Sequence, residues 1–180
     1  MLIHHIYCDM DGVLANFKSA AEDFFDMHVG AQSASNSSAF DRIWTSPQGS
    51  ERLKKEWPTF WMDLDPMPHA AALWRVIAPH HPSILTAIPS NWPSSATGKL
   101  IWCKRHLPKF GYHPQQTFHA VSRREKQNYA RQSDGTPNIL IDDFGKNIEE
   151  WQRAGGIGIL YVDGTSGVSH VESVLHRLDK

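Results

Sequence analysis

The chain has 180 residues, with 18 Lys+Arg against 19 Asp+Glu and a formal net charge of −1. This length suits one domain with an insertion, and the even charge balance excludes an electrostatic footprint for long nucleic acid. No apolar run approaches the roughly 20 residues of a membrane span, the start Met1-Leu2-Ile3-His4-His5-Ile6 does not read as a signal peptide, and two cysteines, Cys8 and Cys103, make no disulfide framework and read as reduced core residues of a cytoplasmic protein.

In chain order, Leu2–Cys8 reads as a buried strand that stops at Asp9-Met10-Asp11-Gly12. The stretch from Ala15 to about Asp65 shows no strand pattern. Phe17, Ala21, Phe24 and Phe25 suggest an amphipathic helix there, Ile43, Leu53 and Trp57 suggest more helix, and Gln32–Ser38 reads as a polar linker. Beyond it, Pro68–Ala78 is helical, Ser83–Leu85 a strand, and Ser94–Leu107 a helix with Ser94 or Ser95 as N-cap. Thr117–Val121 and Asn138–Ile141 are strands. Asn147–Ala154 is a helix that stops at Gly155-Gly156, Ile157–Val162 is a strand, and Val168–Leu178 is a final amphipathic helix. Strand–helix alternation predicts an α/β fold with a mostly parallel sheet, which binds ligands beyond the carboxyl ends of its strands. The expected division is a core of residues 1–14 and 66–180 with a small helical insertion at 15–65.

Two of these strands end in paired acids. Asp9 and Asp11 leave the first strand two residues apart, and Asp142-Asp143 closes Asn138–Ile141. Acids crowded at buried strand ends repel each other and are costly without a cation. Carboxylate and carbonyl oxygens suit a hard ion such as Mg²⁺. A third strand ends in the hydroxyl of Thr86 and the main chain of Ala87, and Arg123-Arg124-Glu125-Lys126 follows a fourth; taken alone, that charge run is equally a solvated face. The eleven histidines include no pair with Cys or His partners at zinc spacing.

The order Asp9/Asp11, Thr86, Lys126, Asp142/Asp143, each after a strand, resembles the four motifs of the haloacid dehalogenase superfamily. The second acid, Asp11, is similar to its phosphatases. Asp9-Met10-Asp11-Gly12-Val13-Leu14-Ala15-Asn16-Phe17 and Phe60-Trp61-Met62-Asp63-Leu64-Asp65-Pro66-Met67-Pro68 resemble the 5′(3′)-deoxyribonucleotidases, as do Gly98–Lys104, Arg124-Glu125-Lys126 and Leu140–Asp143. Ala87-Ile88-Pro89 stands where that family has Ser-Pro.

The resemblance implies a Rossmann-like three-layer sandwich with a helical cap after the first strand. It implies a Mg²⁺-dependent phosphatase working through an aspartyl phosphate, with Asp9 as nucleophile and Asp11 as acid and base. Lys126, Thr86 and backbone N–H groups at Ala87 would hold the phosphoryl oxygens. Asp9, the Asp11 carbonyl and an acid of the Asp142-Asp143 pair would hold the metal. The superfamily's Gly-Asp-x-x-x-Asp favours Asp143 as the direct ligand. It leaves Asn147 either as a supporting group or as a plain N-cap. Phe17 and Trp61 would stack on a nucleobase, making the substrate a (deoxy)nucleoside monophosphate. Another small phosphoester, a nucleic-acid 3′-phosphate end, or a non-catalytic phospholigand binder are the alternatives. No membrane partner is expected, and a homodimer is left open.

Overall fold

The structure is a computed structural model and describes residues 4–25, 59–89, 93–111 and 117–178. Five short strands, β1 (Ile6–Cys8), β2 (Ser83–Ala87), β3 (Phe118–Val121), β4 (Ile139–Asp142) and β5 (Ile157–Leu160), form one parallel sheet in the order β3-β2-β1-β4-β5. Its central strands are near-continuous apolar runs because both faces are covered. One face, carrying Ile6, Cys8, Ile84, Ile139 and Ile141, packs on helices α3 (Ala70–Ile77), α4 (Ser95–His106) and α6 (Thr165–Leu178) through Leu73, Trp102 and Val171. The other, carrying Tyr7, Leu85 and Leu140, packs on α5 (Gly145–Arg153) through Ile148 and Trp151. The result is the three-layer α/β sandwich expected from the sequence. No helix among the described residues is long and apolar enough to cross a membrane.

Boundaries moved where local signals were weak. β5 stops at Leu160, short of the expected Val162, which is 69% exposed beyond the strand end. β2 runs on to Ala87, two residues past the apolar run, because Thr86 and Ala87 pair with Ala120 and Val121. Ser94 precedes α4, but its side chain makes no capping hydrogen bond. Gly155 ends α5 at φ +88°, where a side chain would be strained, and so supplies the predicted stop. Cys8 and Cys103 are both free and buried.

The two ends of the stretch expected as an insertion lie side by side. Asn16 N donates to Asp65 O at 2.7 Å, Met67 N to Leu14 O at 2.8 Å, and Ala15 pairs antiparallel with Pro66. Its described parts are α1 (Phe17–Phe25) and the short return helix α2 (Thr59–Met62). The readings at Gln32–Ser38, Ile43, Leu53 and Trp57 lie outside the described residues.

Candidate active site

The strand order places the site. β1 lies between β2 and β4, so the chain departs in opposite directions on either side of it and a crevice opens at the carboxyl ends. Asp9 N donates to Ile141 O at 2.9 Å, which sets the first acid of β1 beside the acid pair of β4. Carboxylate oxygens of Asp9, Asp142 and Asp143 lie within 4.8 Å of one another. The loop after Asp9 is wound tightly, with the N–H groups of Leu14 and Ala15 both donating to Met10 O at 2.8 Å. Gly12 sits at φ +75°, and a Cβ there would fall 2.1 Å from Asp143 Oδ2. Only a glycine lets the two acidic loops approach so closely.

The paired acids of β4 differ sharply. Asp142 is fully buried and saturated: Lys126 Nζ donates to Oδ2 at 2.7 Å, Phe144 N to Oδ1 at 2.9 Å, and Asn147 Nδ2 to both oxygens at 3.1 and 2.9 Å. Asp143 is exposed, with its carboxylate against Gly12. Asn147 is not the N-cap of α5. It lies inside the helix, is buried, and accepts from Arg123 Nη1 at 3.1 Å while it holds Asp142.

Lys126 is not on a solvated face. It is buried in a 3₁₀ helix, Arg123–Tyr129, with Nζ 2.9 Å from Asp9 Oδ2. The helix opens on a capping box, Ser122 with Glu125, and the Ser-x-x-Glu spacing was the readable signal for it. Arg123 makes a bidentate pair with Glu150 of α5 at 2.7 and 3.1 Å, which pins the helix to the core. Burial opposes the charge on Lys126, but Asp142 and Asp9 outweigh it and raise the ammonium above its ordinary range.

A second buried lysine, Lys99 of α4, was absent from the residues expected in the site. Its Nζ donates to Asp11 Oδ2 at 2.5 Å, Thr86 Oγ1 at 3.0 Å and Ala87 O at 2.6 Å. α4 is only weakly amphipathic, so its pattern does not mark Lys99 as buried; the signal was its place in Gly98–Lys104, a segment that resembles the deoxyribonucleotidases. A lysine among polar neighbours ordinarily reads as exposed. Trp61 is 2% exposed. Its ring stacks on half-buried Phe17, with centroids 5.2 Å apart and planes 5° apart, and Lys99 Nζ lies 4.5 Å from its centroid. The face that the resemblance would offer to a base is thus covered by protein in this structure.

Burial first, and then the charges of Asp142 and Asp11, outweigh Lys126 and Lys99 and push the Asp9 carboxyl up to about 7. Asp9 Oδ1 is buried and has no hydrogen-bond partner. The carboxylate oxygens of Asp9, Asp142 and Asp143, gathered within 4.8 Å of one another, are the hard donor set that Mg²⁺ takes. A carboxyl raised above its unfolded value of 3.8 makes the metal-free fold lose stability as pH climbs toward 7, with a constant penalty above that. Mg²⁺ binds the ionised form and removes this penalty. Added Mg²⁺ is therefore expected to raise Tm more at pH 8 than at pH 5.5. Asp143→Asn should weaken that shift without unfolding the protein, whereas Asp142→Asn should lower Tm even in EDTA. Scanning calorimetry checks both, and a larger Mg²⁺ shift at pH 5.5 would contradict the assignment.

Solved structures share the architecture at low identity. A haloacid dehalogenase-like hydrolase from Streptococcus pneumoniae superposes with a TM-score of 0.60 at 11% identity, covering 98% of each chain. The HAD-hydrolase YfnB of Bacillus subtilis, solved bound to magnesium, gives 0.56 at 14% identity, covering 98% of this chain and all of that one. The L-2-haloacid dehalogenase of Xanthobacter autotrophicus gives 0.53 at 13%, covering 96% and 83%. These likenesses carry the fold alone. No curated protein matches the sequence. A family match over residues 2–177, with the carboxylate cluster at the strand ends, makes the protein a Mg²⁺-dependent phosphomonoesterase of the haloacid dehalogenase superfamily. The chain belongs to the family described as 5′ nucleotidase, deoxy (pyrimidine), cytosolic type C protein.

Proposed function

We propose that the protein hydrolyses (deoxy)nucleoside monophosphates, with Asp9 as nucleophile and Asp11 as acid and base. One observation carries this reading. Asp9 has one oxygen held by Lys126 at 2.9 Å and the other buried and unpartnered, which is the posture of a nucleophile awaiting an electrophile. The free oxygen forms a bond to phosphorus as the bond to the leaving oxygen breaks, and Asp11 gives that oxygen its proton. Asp11 then takes a proton from water, whose oxygen attacks phosphorus and returns Asp9 as a carboxylate. Lys126 donates two hydrogens to Asp9 and Asp142, which leaves one of its three for a phosphoryl oxygen. Thr86 and the Ala87 N–H would complete the cradle. Asp9, Asp143 and the main-chain carbonyl of Asp11 would hold Mg²⁺, with Asp142 behind them. The ion would neutralise charge between nucleophile and substrate.

Residues 15–65 are read as a cap over this crevice, and the pairing of Ala15 with Pro66 supports it. Phe17, half-buried at the start of the cap with its ring stacked on Trp61 and edge-on to Phe60, is the aromatic that the resemblance assigns to a base. The test is phosphate release across nucleoside monophosphates, sugar phosphates and p-nitrophenyl phosphate, with Phe17→Ala and Trp61→Ala alongside. Phe17→Ala should lower kcat/KM about 5- to 150-fold on nucleotides and spare the aryl ester, the range expected of one lost stacking contact. Trp61→Ala should lower activity on every substrate and lower Tm, because it opens a cavity beside Lys99. A preference for sugar phosphates in wild type, or equal losses from Phe17→Ala on all substrates, would reject the nucleotide reading.

A further inference from the structure

We infer that Lys99 is a positioning residue that aims both the Asp11 carboxylate and the Thr86 hydroxyl at the reacting phosphoryl group, an inference that rests on Asp11 being the acid and base. The argument is a count of hydrogens. An ammonium carries three donors and no acceptor. Lys99 Nζ, fully buried, has three acceptors at hydrogen-bond distance: Asp11 Oδ2 at 2.5 Å, Thr86 Oγ1 at 3.0 Å and Ala87 O at 2.6 Å. All three hydrogens are committed to protein, so Lys99 has none to offer a substrate. Lys126 differs on the same count, with two of its three used.

Each bond from Lys99 fixes a direction. Thr86 Oγ1 must accept from Lys99, so the hydroxyl hydrogen cannot point at the ammonium. It turns into the crevice as a donor, the polarity that a phosphoryl oxygen needs. Asp11 is held by Oδ2, and its Oδ1 is buried and unpartnered, free to trade a proton with the leaving oxygen. The Ala87 carbonyl bond ties the ammonium to the end of β2. The Trp61 ring 4.5 Å away adds a cation–π contact that keeps the ammonium in place. Two groups contributed by different strands are thus oriented from one point on α4.

The experiment compares wild type with Lys99→Gln, both with Mg²⁺, on a deoxynucleoside monophosphate and on p-nitrophenyl phosphate. kcat/KM covers the steps through departure of the leaving group. A nitrophenolate leaves without a proton, whereas a nucleoside alkoxide needs one from Asp11. The expected result is a kcat lowered at least about 100-fold with KM within about threefold, and a kcat/KM loss at least about tenfold larger on the nucleotide than on the aryl ester. A raised KM with kcat kept would make Lys99 a phosphate ligand and overturn the inference, as would equal losses on both substrates or full activity. If Lys99→Gln fails to fold, Lys99→Arg takes its place in the same comparison. Failure of both assigns Lys99 a structural role and overturns the inference too. Asp11→Asn, run alongside, separates the two levels. If it shows no greater loss on the nucleotide, the acid assignment falls and the inference with it. If it does show that loss and Lys99→Gln does not, only the role of Lys99 is rejected.

Discussion

Asp9→Asn should abolish turnover while leaving the metal-free protein at least as stable as wild type. The amide is nearly isosteric with the carboxylate but lacks the anionic oxygen that must bond to phosphorus. Residual activity is expected below about 1% of wild type on every phosphoester, because no other group supplies a nucleophile at that point. The stability half follows from the same burial. Asp9 is almost fully enclosed, and its carboxyl titrates near 7 because the site penalises the charge. Above that pH the wild-type fold carries the penalty and the variant does not. Lys126 keeps Asp142 as a partner at 2.7 Å, so the substitution leaves no lone buried cation. In EDTA at pH 8 the variant's Tm should equal or exceed that of wild type, and the difference should shrink at pH 5.5, where the wild-type acid is already neutral. Calorimetry and circular dichroism read this directly. Activity of several per cent, or a Tm several degrees lower at pH 8, would remove Asp9 from the nucleophile's position.

Lys126→Met should have the largest effect on stability. The methionine stem fills similar volume, but the one charge that, among the described residues, compensates Asp9 and Asp142 at hydrogen-bond distance is lost. Breaking a buried pair by removing one partner costs about 3–5 kcal/mol, since the carboxylates stay buried and uncompensated. For a chain of this size each kcal/mol moves Tm by about 2–4 °C, so a fall of about 6–20 °C is expected at pH 8. The sign of the pH dependence is fixed by the carboxylates. As pH falls through about 7, Asp9 takes up a proton and the uncompensated charge diminishes, so the deficit is smaller at pH 5.5. Mg²⁺ should recover part of it at pH 8 by supplying positive charge to the same cluster. Urea titrations at the two pH values, with and without Mg²⁺, measure these terms. A deficit that is the same at both pH values would mean that Lys126 contributes packing rather than charge. Turnover should be lost as well, since the one uncommitted hydrogen of Lys126 disappears with it.

Much of this site was legible in the residues themselves. Apolar runs that end abruptly in Asp9-x-Asp11 and Asp142-Asp143 declare both the strands and the chemistry at their tips, because buried strands and clustered acids each leave a local pattern. The element order followed for the same reason, and Gly12 and Gly155 were readable as turn and stop. Other features depend on which surfaces meet. The division of labour between Asp142 and Asp143 is one: neighbours in sequence, they become a saturated buried anchor and an exposed carboxylate only because Lys126 and Asn147 converge on the first. The burial of Arg123–Lys126 is another, since a charge run looks the same whether it meets solvent or an acidic crevice. The resemblance makes Trp61 a ligand platform, yet it packs between Phe17 and Lys99. Lys99 left almost no local trace, because its three acceptors lie on two other segments, the loop at Asp11 and the end of β2 at Thr86 and Ala87. The sheet and the acids at its strand ends were legible in contiguous residues, and the reaction class followed from the family that their motifs resemble. Only the tertiary structure shows which buried lysine holds which carboxylate and which aromatic rings pack on each other, because hydrogen-bond saturation and packing are properties of residues brought together from distant parts of the chain.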